Sequence, residues 1–220
     1  MNAYELVVLD LAGTTVIDDG LVEEAFTRAW DRVTSTDDGR SAAIAHVRAT
    51  MGQSKIEVFR AIADETTAQA INRAFEGAYR ELIDEGRCEA IPGAEETIRS
   101  LRAAGLKIAF TTGFSHQTAD GILRALKWTD LVDAVLTPAD VGRGRPAPDL
   151  NLTALIRTKT SSVAAMVCVG DTESDAGAGR ASGAGLVVGV LTGSRTEEAL
   201  RAAGADVVIA SVADLPAELL

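Results

Sequence analysis

A parallel α/β sheet with helices on both faces is predicted by three observations. Short apolar runs recur along the chain. Helical patterns separate them. Glycine, proline and polar residues mark several of the changeovers. The runs at 6–9, 108–111, 134–136, 166–169, 186–190 and 207–209 read as strands. Helical patterns fall at 94–104, 116–126, 150–158, 174–181 and 196–203. Pro92 and Gly93 open the first of these helices, and Gly105 closes it. Ser115 is placed to cap the second.

Residues 21–88 break the alternation, with no convincing strand. Helices are expected at 21–33, 42–49, 55–65 and 68–85, with a polar loop over 34–40. An all-helical insert after the first strand forms a separate small domain. Its linkers fall near 17–20 and 86–92. The expected division is therefore a core of 1–17 and 91–220 and a helical domain of 18–90. There is no internal repeat and no low-complexity tract.

The totals exclude several functions. A chain of 220 residues that is 47% hydrophobic is long enough for a packed core in one or two domains. A net charge of −11 disfavours nucleic acid and anionic membrane surfaces as partners. A small anionic substrate needs cations concentrated at one site. No apolar run is long enough to span a bilayer. The chain enters a strand at once without a basic leader, so a cytoplasmic location is expected. Cys88 and Cys168 lack metal-site spacing, and no disulfide is expected between them. Cys168 reads as a core residue, and His46 and His116 read as surface helical residues.

Four segments that follow four strands carry the candidate chemistry. The first is Asp10-Leu11-Ala12-Gly13-Thr14-Thr15. An Asp ending a strand lies at the sheet edge where α/β enzymes bind ligands. The turn after it supplies N–H and hydroxyl donors, which suits an aspartate that attacks phosphorus. The second is Thr111-Thr112-Gly113, whose hydroxyl and amide can hold a phosphoryl oxygen. The third is Gly144-Arg145-Pro146, where Arg145 offers a permanent cation with a bidentate fork. Arg143 beside it reads as solvated. The fourth is Gly170-Asp171-Thr172-Glu173-Ser174-Asp175. Two carboxylates four apart at a strand-to-helix junction can face one point and suit Mg²⁺. Taken singly, a Thr-Gly pair reads as a turn, and Asp171 with Thr172 reads as a helix cap. Their order and spacing together favour one shared site.

The order Asp-x-x-Gly-Thr, Thr-Gly, Arg-Pro, Gly-Asp-x-x-x-Asp resembles the haloacid dehalogenase superfamily over nearly the whole chain. The helical insert resembles that superfamily's cap. Most members carry a second Asp where this chain has Ala12, and Lys where it has Arg145. Both departures, and Met51-Gly52-x-x-Lys55 in the insert, are similar to the phosphonatase (phosphonoacetaldehyde hydrolase) group. The match departs at Val58, Phe114 and Leu21, where that group has His, Tyr and Cys.

The resemblance implies Mg²⁺ held by Asp10, the Ala12 carbonyl and Asp171, with Asp175 ligating or orienting. It implies Asp10 as nucleophile, Thr112 and Arg145 as catalytic groups that stabilise the transferring oxygens, and Thr14, Gly113, Met51 and Gly52 as substrate- or phosphate-binding residues. It implies that Lys55, set by Met51 and Gly52, forms a Schiff base with a substrate aldehyde. Read alone, a lysine in a first helical turn is a solvated charge. The implied substrate is a small phosphonate, and a cap-mediated homodimer is suggested by the resemblance only. Two alternatives remain at this level: a phosphatase of a small phosphorylated metabolite without imine chemistry, and a non-catalytic phosphate-binding protein.

Overall fold

The computed structural model describes residues 3–34 and 39–220. Strand β1 (Leu6–Leu9) is followed by helices α1 (Leu21–Val33), α2 (Arg40–Ala49), α3 (Lys55–Arg60), α4 (Glu65–Asp84) and α5 (Ala94–Ala103). Strands β2 (Lys107–Thr111) and β3 (Ala134–Leu136) flank α6 (His116–Leu126). After α7 (Asp149–Arg157) come β4 (Met166–Gly170), α8 (Glu173–Ala181), β5 (Leu186–Val190), α9 (Glu197–Ala203), β6 (Val207–Ile209) and α10 (Leu215–Leu219).

The six strands form one parallel sheet in the order β3-β2-β1-β4-β5-β6. All six predicted strands are present. Alternate residues serve opposite faces, as the period of two requires. Val7, Leu9, Ile108, Phe110, Val167 and Val169 share a cluster with Ile98 and Leu101 of α5 and Leu215 of α10. Leu6, Val8, Ala109, Met166 and Cys168 pack instead with Leu150 and Ala154 of α7. A third cluster joins Ala176 of α8, Val187 of β5 and Leu200 of α9. Cys88 and Cys168 are free thiols.

The helical insert is present, with its internal boundaries moved. The helix expected over 55–65 stops at Arg60, and the next begins at Glu65 rather than 68. Asp64 explains the break. Its side chain accepts from the Thr67 N–H at 3.1 Å and starts a new helix where an apolar pattern alone reads as continuous. Helix α2 begins two residues early, after Gly39, so the expected loop over 34–40 is shorter. Residues 35–38 of that loop lie outside the described residues. Helix α10, with Pro216 in its first turn, was not expected. Ser115 caps α6 as predicted, accepting from Thr118 N–H at 3.3 Å. The N–H of Gly105 bonds back to the Arg102 carbonyl at 2.9 Å, closing α5.

Helices α1–α4 share the larger apolar cluster with one face of the sheet. Their aromatic spine runs from Phe26 to Phe59 (ring centroids 5.6 Å apart), Phe75 (5.6 Å) and Tyr79 (5.9 Å). Phe114, from the loop after β2, completes it at 4.8 Å from Tyr79. Among the described residues no helix is long and apolar enough to cross a membrane.

Candidate active site

The chain winds outward from β1 to β3 on one side and from β4 to β6 on the other. The crevice beyond the carboxyl ends of β1 and β4 is where such sheets bind ligands. Register brings the motifs there at one level. Leu9 pairs with Phe110 and Val169, so Asp10, Thr111-Thr112 and Gly170-Asp171 leave their strands side by side.

Asp10, Asp171 and Asp175 are buried and each offers an oxygen, all within 4.8 Å of one another. Buried Arg145 enters from the segment after β3. Its Nη2 donates to Asp10 Oδ1 at 2.7 Å, and its Nη1 pairs with Asp175 Oδ1. The Thr14 hydroxyl donates to Asp171 Oδ1 at 3.0 Å. Thr172 caps α8, and its N–H donates to Asp175 Oδ2 at 3.1 Å in a capping box. The cap expected from Asp171 and Thr172 is thus made by Thr172 with Asp175. Asp171 is left facing the cluster.

Three buried carboxylates against one guanidinium carry surplus negative charge. Burial, followed by the charge of Asp10, pushes Asp171 up to about 7. A hard divalent cation relieves that surplus, and an all-oxygen donor set suits Mg²⁺. The residues present therefore fit such an ion. Both Asp175 oxygens meet protein groups, Oδ1 the Arg145 guanidinium and Oδ2 the Thr172 N–H.

The turn after Asp10 depends on glycine. Gly13 has φ +89°, and a Cβ there would strike the Asp171 carboxylate. Its carbonyl accepts from the Thr192 hydroxyl at 2.6 Å. Sequence reasoning missed Thr192, because a lone Thr after a strand carries no motif.

Residues 51–55 lie over this cluster. The Lys55 N–H donates to the Gly113 carbonyl at 3.1 Å. Gly52, at φ +83°, sits so close to Thr172 that a Cβ would meet its hydroxyl. Asp10, Ala12, Thr112, Gly113 and Arg145 face Met51, Gly52 and Lys55 across a cavity of about 20 Å³. That space holds about one water.

Lys55 begins α3 and is only 7% exposed, not solvated as a lone first-turn lysine would be. Its Nζ stands 5.3 Å over the Phe114 ring. Burial lowers its pKa to about 8, while Asp18, Asp10 and Asp171 oppose the shift and Arg145 adds to it. Asp18, also missed, accepts from the Val22 N–H at 3.0 Å and is raised by its own burial. Its signal was available: an Asp three residues before an apolar helix is a capping pattern. Val58, Phe114 and Leu21 are buried apolar groups. Arg143 is exposed and paired with Asp149 at 2.8 Å. His116 is exposed as expected, whereas His46 is half-buried, which corrects its reading as a surface residue.

Residues 4–183 match the haloacid dehalogenase-like hydrolase family. A phosphonoacetaldehyde hydrolase from Bacillus cytotoxicus is 32% identical over 205 residues, covering 86% of this chain and 76% of the relative. A phosphonoacetaldehyde hydrolase-like protein from Syntrophobacter fumaroxidans is 30% identical over 214 residues, covering 86% and 73%. The crystal structure of a hydrolase from Pseudomonas syringae superposes with a TM-score of 0.83 at 26% identity, covering 97% of this chain and 96% of that one. With the sheet, the ordered motifs and these matches in agreement, the chain belongs to the haloacid dehalogenase-like hydrolases, in their phosphonatase-like group.

Proposed function

We propose that this chain is a Mg²⁺-dependent hydrolase of the carbon–phosphorus bond in a short phosphonate bearing an aldehyde, with phosphonoacetaldehyde as the best-matched substrate. One observation carries the reading. Lys55 is buried across a small cavity from Asp10, and the chain has no acid at Ala12. An ester phosphatase needs an acid for its leaving oxygen, whereas C–P cleavage needs an electron sink on carbon.

Neutral Lys55 attacks the aldehyde carbon, water leaves, and the imine takes up one proton from solvent to become the protonated imine. Asp10 attacks phosphorus, the C–P bond breaks, and its electron pair flows onto carbon and into the imine as an enamine. Protonation and hydrolysis of the enamine release acetaldehyde and free Lys55. Water then hydrolyses the aspartyl-phosphate. Arg145, Thr112 and the Gly113 amide stabilise charge on the transferring oxygens. Asp10, Asp171 and the Ala12 carbonyl would hold Mg²⁺, with Asp175 ligating it or orienting Arg145. When bound, the cation screens Asp10 from the phosphonate it approaches.

Residues 18–90 act as a cap on a core formed by 1–17 and 91–220. The cavity between Asp10 and Lys55, about 20 Å³, is smaller than a phosphonate, which supports a cap that opens to load substrate and closes over it. Closure excludes water and strengthens the electrostatics around Lys55 and Asp10.

The test is release of phosphate and acetaldehyde from phosphonoacetaldehyde with Mg²⁺. Asp10→Asn is expected to abolish turnover and to remain folded. Near-parent turnover by that variant, or undiminished activity in excess EDTA, contradicts the assignment. Turnover of aryl phosphates with none of phosphonoacetaldehyde selects a small-molecule phosphatase instead.

A further inference from the structure

Thr192 lies just beyond β5, at the same sheet edge as Asp10 and Asp171. The Leu191 N–H donates to the Ile209 carbonyl of β6 at 3.1 Å, so the loop leaves the sheet from a fixed point. The Thr192 hydroxyl then reaches across the edge and donates to the Gly13 carbonyl at 2.6 Å. Gly193 follows hard against Asp171. A Cβ there would strike the Asp171 carboxylate, as one at Gly13 would. Asp171 therefore stands in a slot between two glycine backbones, with the Thr14 hydroxyl donating to its Oδ1 at 3.0 Å.

The bond from Thr192 acts on one turn. The Gly13 N–H belongs to the peptide that carries the Ala12 carbonyl, and it donates to the Val16 carbonyl at 2.7 Å. The next peptide carries the Gly13 carbonyl and the Thr14 N–H, which donates to the Leu11 carbonyl at 3.3 Å. Both N–H bonds stay within the turn. Thr192 ties that turn to the loop that packs on Asp171. A glycine at φ +89° has wide conformational freedom, so an outside bond is what fixes it.

We propose that Thr192 is a positioning residue that holds the Ala12 carbonyl and Asp171 at the spacing a small divalent cation needs, and so favours Mg²⁺ over Ca²⁺. This rests on the Mg²⁺ reading above and adds to it the residue that sets selectivity. Mg²⁺ takes oxygen ligands at about 2.0–2.1 Å in near-ideal octahedral geometry, whereas Ca²⁺ accepts about 2.3–2.6 Å in flexible arrangements. A turn released from its brace loses Mg²⁺ more than Ca²⁺.

The experiment reads metal binding without substrate. EDTA-treated protein is titrated with Mg²⁺ or Ca²⁺, and affinity is taken from the rise of the thermal midpoint. Thr192→Val and Thr192→Ala both remove the hydroxyl, and Thr192→Ser keeps it. Valine and alanine are expected to weaken Mg²⁺ binding about fivefold or more and Ca²⁺ binding less, with serine binding as the parent does. Unchanged Mg²⁺ affinity in the alanine variant, while the parent binds, overturns this inference alone. An equal loss of both cations, or a serine variant as weak as alanine, marks a merely structural role and also overturns it. A parent whose midpoint Mg²⁺ leaves unmoved overturns the Mg²⁺ reading, and this inference with it.

Discussion

At the residue scale, the site is set by where charge is buried and what compensates it. Lys55 loses its hydration to burial, and the surrounding carboxylates restore only part of the stabilisation, so its pKa falls from 10.5 to about 8. Below that value the amine is protonated and cannot attack a carbonyl. The expected rate of imine trapping therefore rises about tenfold per pH unit below 8 and levels off above it. A midpoint near 10.5 would describe a solvated lysine and contradict the closed arrangement. Ala12 belongs to the same scale. A positioned general acid contributes ~10²–10⁴-fold to a step that needs a proton. Ester cleavage needs one and imine-assisted cleavage does not. Ala12→Asp is thus expected to raise aryl phosphate hydrolysis relative to phosphonoacetaldehyde cleavage, even if both absolute rates fall. An unchanged ratio in a folded, metal-binding variant removes Ala12 from the account. Asp10, Arg145 and Asp171 were legible in the order and spacing of their segments, whereas Lys55 was reached only through the family resemblance. Asp18, Tyr79 and Thr192 were not singled out. Asp18 carried a local capping signal, whereas the places of Tyr79 and Thr192 depend on contacts between segments far apart in the chain, which local pattern does not encode.

At the element scale, the seat of helices α1–α4 on the sheet edge rests on a few close contacts. The Lys55 N–H bonds to the Gly113 carbonyl, and Gly52 abuts Thr172. Arg195, after β5, donates to the Arg48 carbonyl at the end of α2 (3.0 Å) and pairs with Glu173 of α8 (2.9 Å). Gly52→Ala adds a Cβ where Thr172 stands and strains a backbone at φ +83°. Positive-φ strain of this kind costs about 1–3 kcal/mol. On the proposed closing motion that energy opposes closure more than folding of the core, so kcat/KM is expected to fall about 5- to 150-fold with the far-ultraviolet spectrum retained. Parent-like kinetics in the variant would show that this contact does not govern closure. Hydrogen exchange checks the motion directly. Mg²⁺ with vanadate is expected to protect amides in the linkers at 17–20 and 86–92, and identical exchange with binding confirmed counts against a moving cap. Helix content in this region was readable from apolar spacing, but its punctuation was not. The α3–α4 break turns on a single Asp64 cap, which competes with a pattern that runs through it.

At the scale of the whole molecule, function follows from strand order. β1 lies at the centre with β2 and β4 on either side, so motifs separated by up to 165 residues end at one edge. The strands were legible because short apolar runs between helices have few other readings. Their order was not legible from those runs, since parallel neighbours are chosen by crossover packing rather than by local pattern. In the proposed reading the insert completes the site from outside the sheet, because its Lys55 is the group that would accept electrons from carbon opposite Asp10 and Arg145. The most direct test of that claim is covalent. The Mg²⁺-loaded protein is treated with phosphonoacetaldehyde and borohydride, digested, and mapped by mass spectrometry. The expected result is loss of activity with the added mass on Lys55 alone, absent in Lys55→Met. Turnover of phosphonoacetaldehyde by Lys55→Met at the parent rate, or an adduct spread over surface lysines with activity retained, would contradict it.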